Sequence, residues 1–151
     1  MADGDTYSDI GIKMKVALGK PATEDQAGYA AMAWDNLEGV LSMPERGDTS
    51  EDGSEALLAT GRTEHHSGLV DGGVLEIPIK HIEGDVGQAA VQAEVGTNET
   101  LSFQEVDPDN EGHFWFGRVL SMRRRASTPS SSKGFVLRVG VNSGRFTGVV
   151  A

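Results

Sequence analysis

Apolar and polar residues alternate from the first ordered-looking stretch of the chain. Over residues 10–18, Ile12, Met14, Val16 and Leu18 share one parity, and Lys13 and Lys15 share the other. A period of two with one apolar side predicts a half-buried strand. Beyond Pro21 the period changes. Thr23 and Gln26 have the spacing of a capping box, and Ala27, Ala30 and Ala31 suit one or two helical turns despite Gly28. Residues 34–41 return to an extended habit, with Tyr29 and Trp34 as core or interface anchors.

Residues 44–61 lose periodicity and gain charge. Asp48, Glu51, Asp52 and Glu55 make this a long acidic loop, with an apolar tip in Ala56, Leu57 and Leu58. A loop of this length is uncommon in a compact domain and usually serves function or disorder. The apolar pair Leu57 and Leu58 argues against plain disorder, and either a partner or the chain's own domain would cover it.

The stretch 62–106 organises the rest: strand, tight turn, strand, one short helix, strand. Asp71-Gly72-Gly73 offers the positive-φ residues that a short hairpin turn needs. Leu75, Ile77 and Ile79 alternate with Glu76, Pro78 and Lys80, and Pro78, unable to donate to a ladder, predicts an edge strand or a bulge. Val86, Ala89, Ala90 and Ala93 recur at helical spacing, with Asp85 as cap and Gly96 as stop. A turn cluster at residues 107–112 precedes a long strand over 113–125. Phe114, Phe116, Leu120 and Met122 lie on one parity of that strand, Trp115 and Val119 on the other. Both faces therefore need cover, which an oligomer supplies. A polar loop at 126–133 leads to a last strand carrying Phe135, Leu137, Val139 and Val141. Residues 1–9 and 142–151 read as terminal arms, the second still carrying apolar groups with which it can dock elsewhere.

Length and composition narrow the class. The chain of 151 residues suits one domain, and its 20 glycines fit strands and turns better than a helical bundle. Zero cysteines exclude disulfides and thiol catalysis. No apolar run approaches the roughly 20 residues that cross a bilayer. The polar start MADGDTYSDI lacks a secretory signal's apolar segment, so an intracellular site of synthesis and assembly is expected. A net charge of −10 argues against ordinary nucleic-acid grip, but is compatible with a surface past which nucleic acid slides.

Candidate chemistry is sparse. His65, His66, His81 and His113 invite a metal site, yet adjacent strand residues point to opposite faces, so one ion takes only one of the first pair easily. Asp48-Thr49-Ser50-Glu51-Asp52-Gly53 resembles half a calcium loop, but Ala59 stands where the bidentate carboxylate belongs. Arg46-Gly47-Asp48 and the sequon at Asn98 are short enough to arise by chance. Arg123, Arg124 and Arg125 form the one basic cluster, better matched at this net charge to acidic loops of a neighbouring subunit, or to plain solvation, than to nucleic acid. No nucleophile elbow, phosphate-cradling loop or metalloprotease signature is present, so neither an enzyme nor a cofactor is expected.

The order of elements resembles the major tail tube proteins of long-tailed bacteriophages and related gene transfer agents. The resemblance is carried by Pro21-Ala22-Thr23 with Gly28-Tyr29-Ala30-Ala31-Met32-Ala33-Trp34, by Leu37-Glu38-Gly39-Val40-Leu41 and by the long loop. Further along it is carried by the segment from Thr63 through Gly72 to Leu75, by the alanine-rich helix, and by Phe114-Trp115-Phe116-Gly117-Arg118-Val119. It spans residues 11–141. It implies a mainly β fold of two packed antiparallel sheets, sandwich- or barrel-like, with one flanking helix. It also implies self-assembly into hexameric rings stacked as a tube in the virion tail, built in the host cytoplasm with no membrane. Tail tip or initiator, tape measure and terminator proteins are the implied partners, and DNA passes through without specific binding. On this reading Asp48, Glu51, Asp52, Glu55, Leu57 and Leu58 reach an adjacent subunit or ring. Arg123, Arg124 and Arg125 meet such loops, and Glu38, Glu64 and Glu76 are candidates for the lumen. The rival expectation is a monomeric β-sandwich binding module, for example for carbohydrate, stacking sugars on Tyr29, Trp34 and Trp115.

Overall fold

The longest strand, β7 (Glu111–Arg124), is the spine of the molecule. The computed structural model describes residues 11–149, so the arm expected over residues 1–9 lies outside the described residues. Before the spine come β1 (Lys13–Leu18), α1 (Gln26–Ala30), β2 (Asp35–Leu37), β3 (Thr49–Leu57), β4 (Arg62–Asp71), β5 (Val74–Lys80), α2 (Val86–Ala93) and β6 (Leu101–Val106). After it come β8 (Gly134–Val141) and β9 (Phe146–Val149). All pairings are antiparallel. The main sheet runs β2-β1-β6-β7-β8-β5, with β9 extending along the first part of β7, and among the described residues β3 pairs only with β4.

The main sheet curls until its two ends nearly meet. Val40, just beyond β2, bridges Ile79 of β5, and the Leu41 amide donates to the Pro78 carbonyl at 2.9 Å. Pro78 thus sits on an edge strand, as its missing donor requires. Inside the curl lie Met14 and Val16, Leu75, Ile77 and Ile79, Leu101 and Phe103, Trp115 and Val119, and Leu137 and Val139, all buried. Phe103 and Trp115 stack across the β6–β7 pair with ring centroids 4.4 Å apart.

Helix α2 covers the mouth of the curl. The Asp85 carboxylate accepts from the Gln88 amide at 2.9 Å, as expected of an N-cap. Gly87 lies against the backbone of Asn36 and Leu37, closer than any β-carbon allows. The buried Gln88 side chain donates to the carbonyls of Glu38 at 2.8 Å and Lys80 at 2.9 Å, tying together the two sheet ends that the helix spans.

Four expectations need correction here. Half of the supposed loop at 44–61 is strand: Thr49–Leu57 pairs with Arg62–Asp71 from Thr49↔Asp71 to Leu57↔Arg62. Amphipathic periodicity is absent because neither face of this ribbon is buried, so the usual strand signal has no cause. Secondly, Asp71-Gly72-Gly73 is no hairpin turn, since β4 pairs with β3 and β5 with β8. It is the joint where the chain leaves the ribbon, and the tight turn lies at the far end, closed by the Gly61 amide on Leu57 O at 2.9 Å.

The third correction concerns β7, whose second apolar face is covered at its start by its own chain. Phe114 stacks on Tyr29 at 4.9 Å and lies near Phe146 at 6.0 Å, so α1 and β9 supply what a neighbouring subunit was expected to supply. Residues 146–149 of the expected C-terminal arm are therefore a docked strand. Finally, the helical turn expected after Pro21 forms as α1, a second helix beside the single one that the resemblance implies, but its cap is Asp25 rather than Thr23: the Asp25 carboxylate accepts from the Gly28 amide at 2.8 Å. Gln26 instead donates to Val149 O at 2.6 Å. The two antiparallel sheets are present, but one is the exposed ribbon and adds nothing to the core.

Candidate assembly interface

The ribbon is made of residues that tolerate extension without burial: Thr, Ser, His and charged side chains, with Gly53 where the His66 ring crosses the strand pair. All ten residues of β4 are exposed, and in β3 only Gly53 and Leu57 are partly covered. At the tip Leu58 is fully exposed, and Leu69 and Val70 are exposed near the root. At about 3.3 Å per residue, a nine-residue strand projects roughly 30 Å. An isolated two-stranded ribbon is marginal in water, and among the described residues nothing covers this one.

Its charge is lopsided. From Thr49 to Asp71 it carries Glu51, Asp52, Glu55, Glu64 and Asp71 against Arg62, five acids less one cation, or −4 with the histidines neutral. Asp52 accepts from or pairs with His65 at 2.9 Å. Glu55 and Glu64 face each other directly across the strands, an arrangement that destabilises a ladder unless a cation intervenes.

The root of the ribbon is clamped by a group that periodicity alone does not flag as functional. Glu105 on β6 has no exposed side-chain surface. Its carboxylate accepts from Arg46 Nε at 2.8 Å, from Arg145 Nη1 and Nη2 at 3.1 and 3.2 Å, and from Trp115 Nε1 at 3.2 Å. Burial alone raises its pKa, but the hydrogen bond and charge of Arg145, then those of Arg46, outweigh it and hold the group below its ordinary value. Arg46 precedes β3 and Arg145 precedes β9, so one carboxylate pins the start of the ribbon and the last strand to β6. Arg46 also donates to Pro44 O at 2.9 Å. The signal in the sequence was Glu105 itself, an acid on the parity of Leu101 and Phe103.

The expected site residues fall in several places. Glu51, Asp52, Glu55, Leu57 and Leu58 lie along the ribbon or at its tip, with Asp48 at its root. Arg123 and Arg124 are exposed at the end of β7, whereas Arg125 is turned back onto Ser132 O at 2.6 Å, so the three do not act as one cluster. The lumen candidates sit on three elements. Glu38 follows β2 beside α2, Glu64 is in mid-ribbon, and Glu76 is on the outward side of β5, paired with Arg138 at 3.3 Å. The stacking platform of the rival reading does not exist: Tyr29 and Trp115 are fully buried, and Trp34 donates its indole N–H to Tyr29 O at 2.8 Å. The histidines are dispersed too, with His65 and His66 on the ribbon, His81 against Phe135, and His113 between Asp107 and Thr147.

The described residues thus combine a curled antiparallel sheet, a helix across its mouth and a long projecting ribbon. The chain is similar to the SPP1 tail tube subunit solved by solid-state NMR and cryo-electron microscopy, with a TM-score of 0.60 and 14% identity over 91% of this chain and 77% of that one. It is also similar to a chain of the anti-feeding prophage baseplate, solved by cryo-electron microscopy with sixfold symmetry imposed, with a TM-score of 0.65 and 6% identity over 97% of both chains. No family model matches the sequence, and no curated protein matches it. At such identities the likeness establishes the fold.

Proposed function

We propose that this chain is a structural subunit that assembles with copies of itself into stacked hexameric rings, forming a phage-type tail tube in the virion. DNA would pass through its lumen without specific binding, and initiator, tape measure and terminator proteins would set where the tube starts and ends. The observation that carries this reading is the bare ribbon, about 30 Å long and clamped by a buried ion cluster to a tail-tube-type body. A monomer gains nothing from such a ribbon; a head-to-tail assembly uses it to reach the next subunit. The fold likeness to a tail tube, and to a baseplate of sixfold symmetry, supports the ring and its number. The reading assigns the chain no catalytic step.

Negative-stain electron microscopy of the purified protein over a range of concentrations, with and without a tail-tip complex as initiator, tests it. Rings or hollow tubes are the expected result. Uniform monomers under every condition, the initiator included, would overturn it.

A further inference from the structure

The ribbon's acidity leaves open what receives it, and the outward face of the main sheet carries a surface of matching chemistry. Strand register sets the outward side chains of the β5–β8–β7 part of the main sheet. They are Glu76, Pro78 and Lys80 on β5, Val136 and Arg138 on β8, and Arg118, Ser121 and Arg123 on β7. Lys80, Arg138, Arg118 and Arg123 are all exposed, and only Glu76 opposes them. This face is therefore cationic on a chain whose net charge is −10. Among the described residues, Arg123 and Arg118 form no ion pair; Arg118 reaches only the Asn98 amide oxygen, at 3.3 Å.

The same face ends in an open sheet edge. Strand β6 accompanies β7 only as far as Gly117, whereas β8 pairs with β7 through Arg124. From Arg118 to Arg124 one side of the β7 backbone thus has no strand beside it among the described residues. An unpaired edge of this length is a template for strand addition unless something occupies or blocks it. The register shift between Val119 and Ser121 sets Leu120 out of the ladder, partly exposed, next to that edge.

We propose that the outward face of β5, β8 and β7, with the open edge of β7 beyond Gly117, is the docking surface for the acidic ribbon of a second copy of this chain. This rests on the self-assembly reading and names its interface. Glu55 and Glu64, held opposite each other at a cost, would be relieved by Arg118 and Arg123 of the receiving copy. The exposed Leu58 at the tip would find apolar surface beside Leu120, Val136 and Pro78. Because donor and receptor are different surfaces, the contact is head-to-tail and propagates. Nucleic acid is the other polyanion that such a face attracts by charge, but the chain itself carries a complementary acidic ribbon, −4 from Thr49 to Asp71.

Two full-length variants test this: Glu55→Lys/Glu64→Lys in the ribbon and Arg118→Glu/Arg123→Glu on the face. All four positions are exposed, and circular dichroism confirms that the variants fold. Each variant alone should associate at least roughly tenfold more weakly than wild type by sedimentation velocity at low salt. Mixed, they should associate in strict 1:1 proportion, since each then meets its opposite charge, and all four substitutions in one chain should restore self-association. Half-molar salt should weaken every one of these contacts. Wild-type association by either variant alone would overturn the interface while leaving self-assembly standing. If the wild type never associates and the mixture does not either, both readings fall. If reversal of Arg118 and Arg123 abolishes binding of duplex DNA but leaves self-association intact, the face belongs to nucleic acid and the interface is wrong.

Discussion

Replacing Glu105 by glutamine keeps the shape of the side chain and removes the charge that holds two guanidiniums. In the native fold the carboxylate is fully buried, and it takes hydrogen bonds from Arg46, from both terminal nitrogens of Arg145 and from Trp115. Breaking a buried ion cluster by removing one member costs about 3–5 kcal/mol, because the remaining charges stay buried without a partner. Each arginine side chain keeps 22% exposure and regains some water, so the low end applies, about 3 kcal/mol. For a chain of this size that is a fall in Tm of about 6–12 °C. The pH dependence has a definite sign. The folded pKa of Glu105 is depressed, so its stabilisation is complete above the unfolded value of about 4.3 and is lost as pH falls through the folded value. Chemical denaturation of wild type and Glu105→Gln at pH 7 should therefore show the full gap, and the gap should close on acidification. Hydrogen exchange should quicken in residues 44–49 and 143–149 together, since one carboxylate clamps both. A gap below about 1 kcal/mol at pH 7, or one indifferent to pH, would refute the clamp.

Two further outcomes follow from the packing. Gly87→Ala should destabilise by about 1–3 kcal/mol although alanine is the better helix former, because its β-carbon meets the Asn36 carbonyl; a thermal melt that rises instead would mean that α2 can lift from β2 freely. Excising residues 50–70 and joining Thr49 to Asp71 through an Asn-Gly turn should leave a folded monomer, since the ribbon contributes nothing to the core. That variant should form no tubes under electron microscopy; normal tubes from it would strip the ribbon of its assembly role.

Some of this protein was legible in its residues. Strands β1, β5 and β8 alternate because one side of each is buried, and α2 shows its cap and its stop because both are local hydrogen-bonding devices. The ribbon was not legible as strand, although its acids and its exposed leucine were, because alternation records burial and a bare ribbon buries neither face. The glycine joint at Gly72-Gly73 was misread for a related reason: turn chemistry tells that the chain bends, and only the pairing partners tell whether the bend closes a hairpin. Both apolar parities at the start of β7 correspond to two covered faces there, at Phe114 and Trp115. Whether the cover came from the same chain or from a neighbour depended on where α1 and β9 folded. The meeting of Arg46, Glu105 and Arg145 was likewise beyond reach, since the residues are up to 99 positions apart and no local pattern couples them. Local periodicity and hydrogen bonding thus determined the elements, while long-range contacts decided the clamp, the open edge and the charged face that the ribbon is proposed to meet.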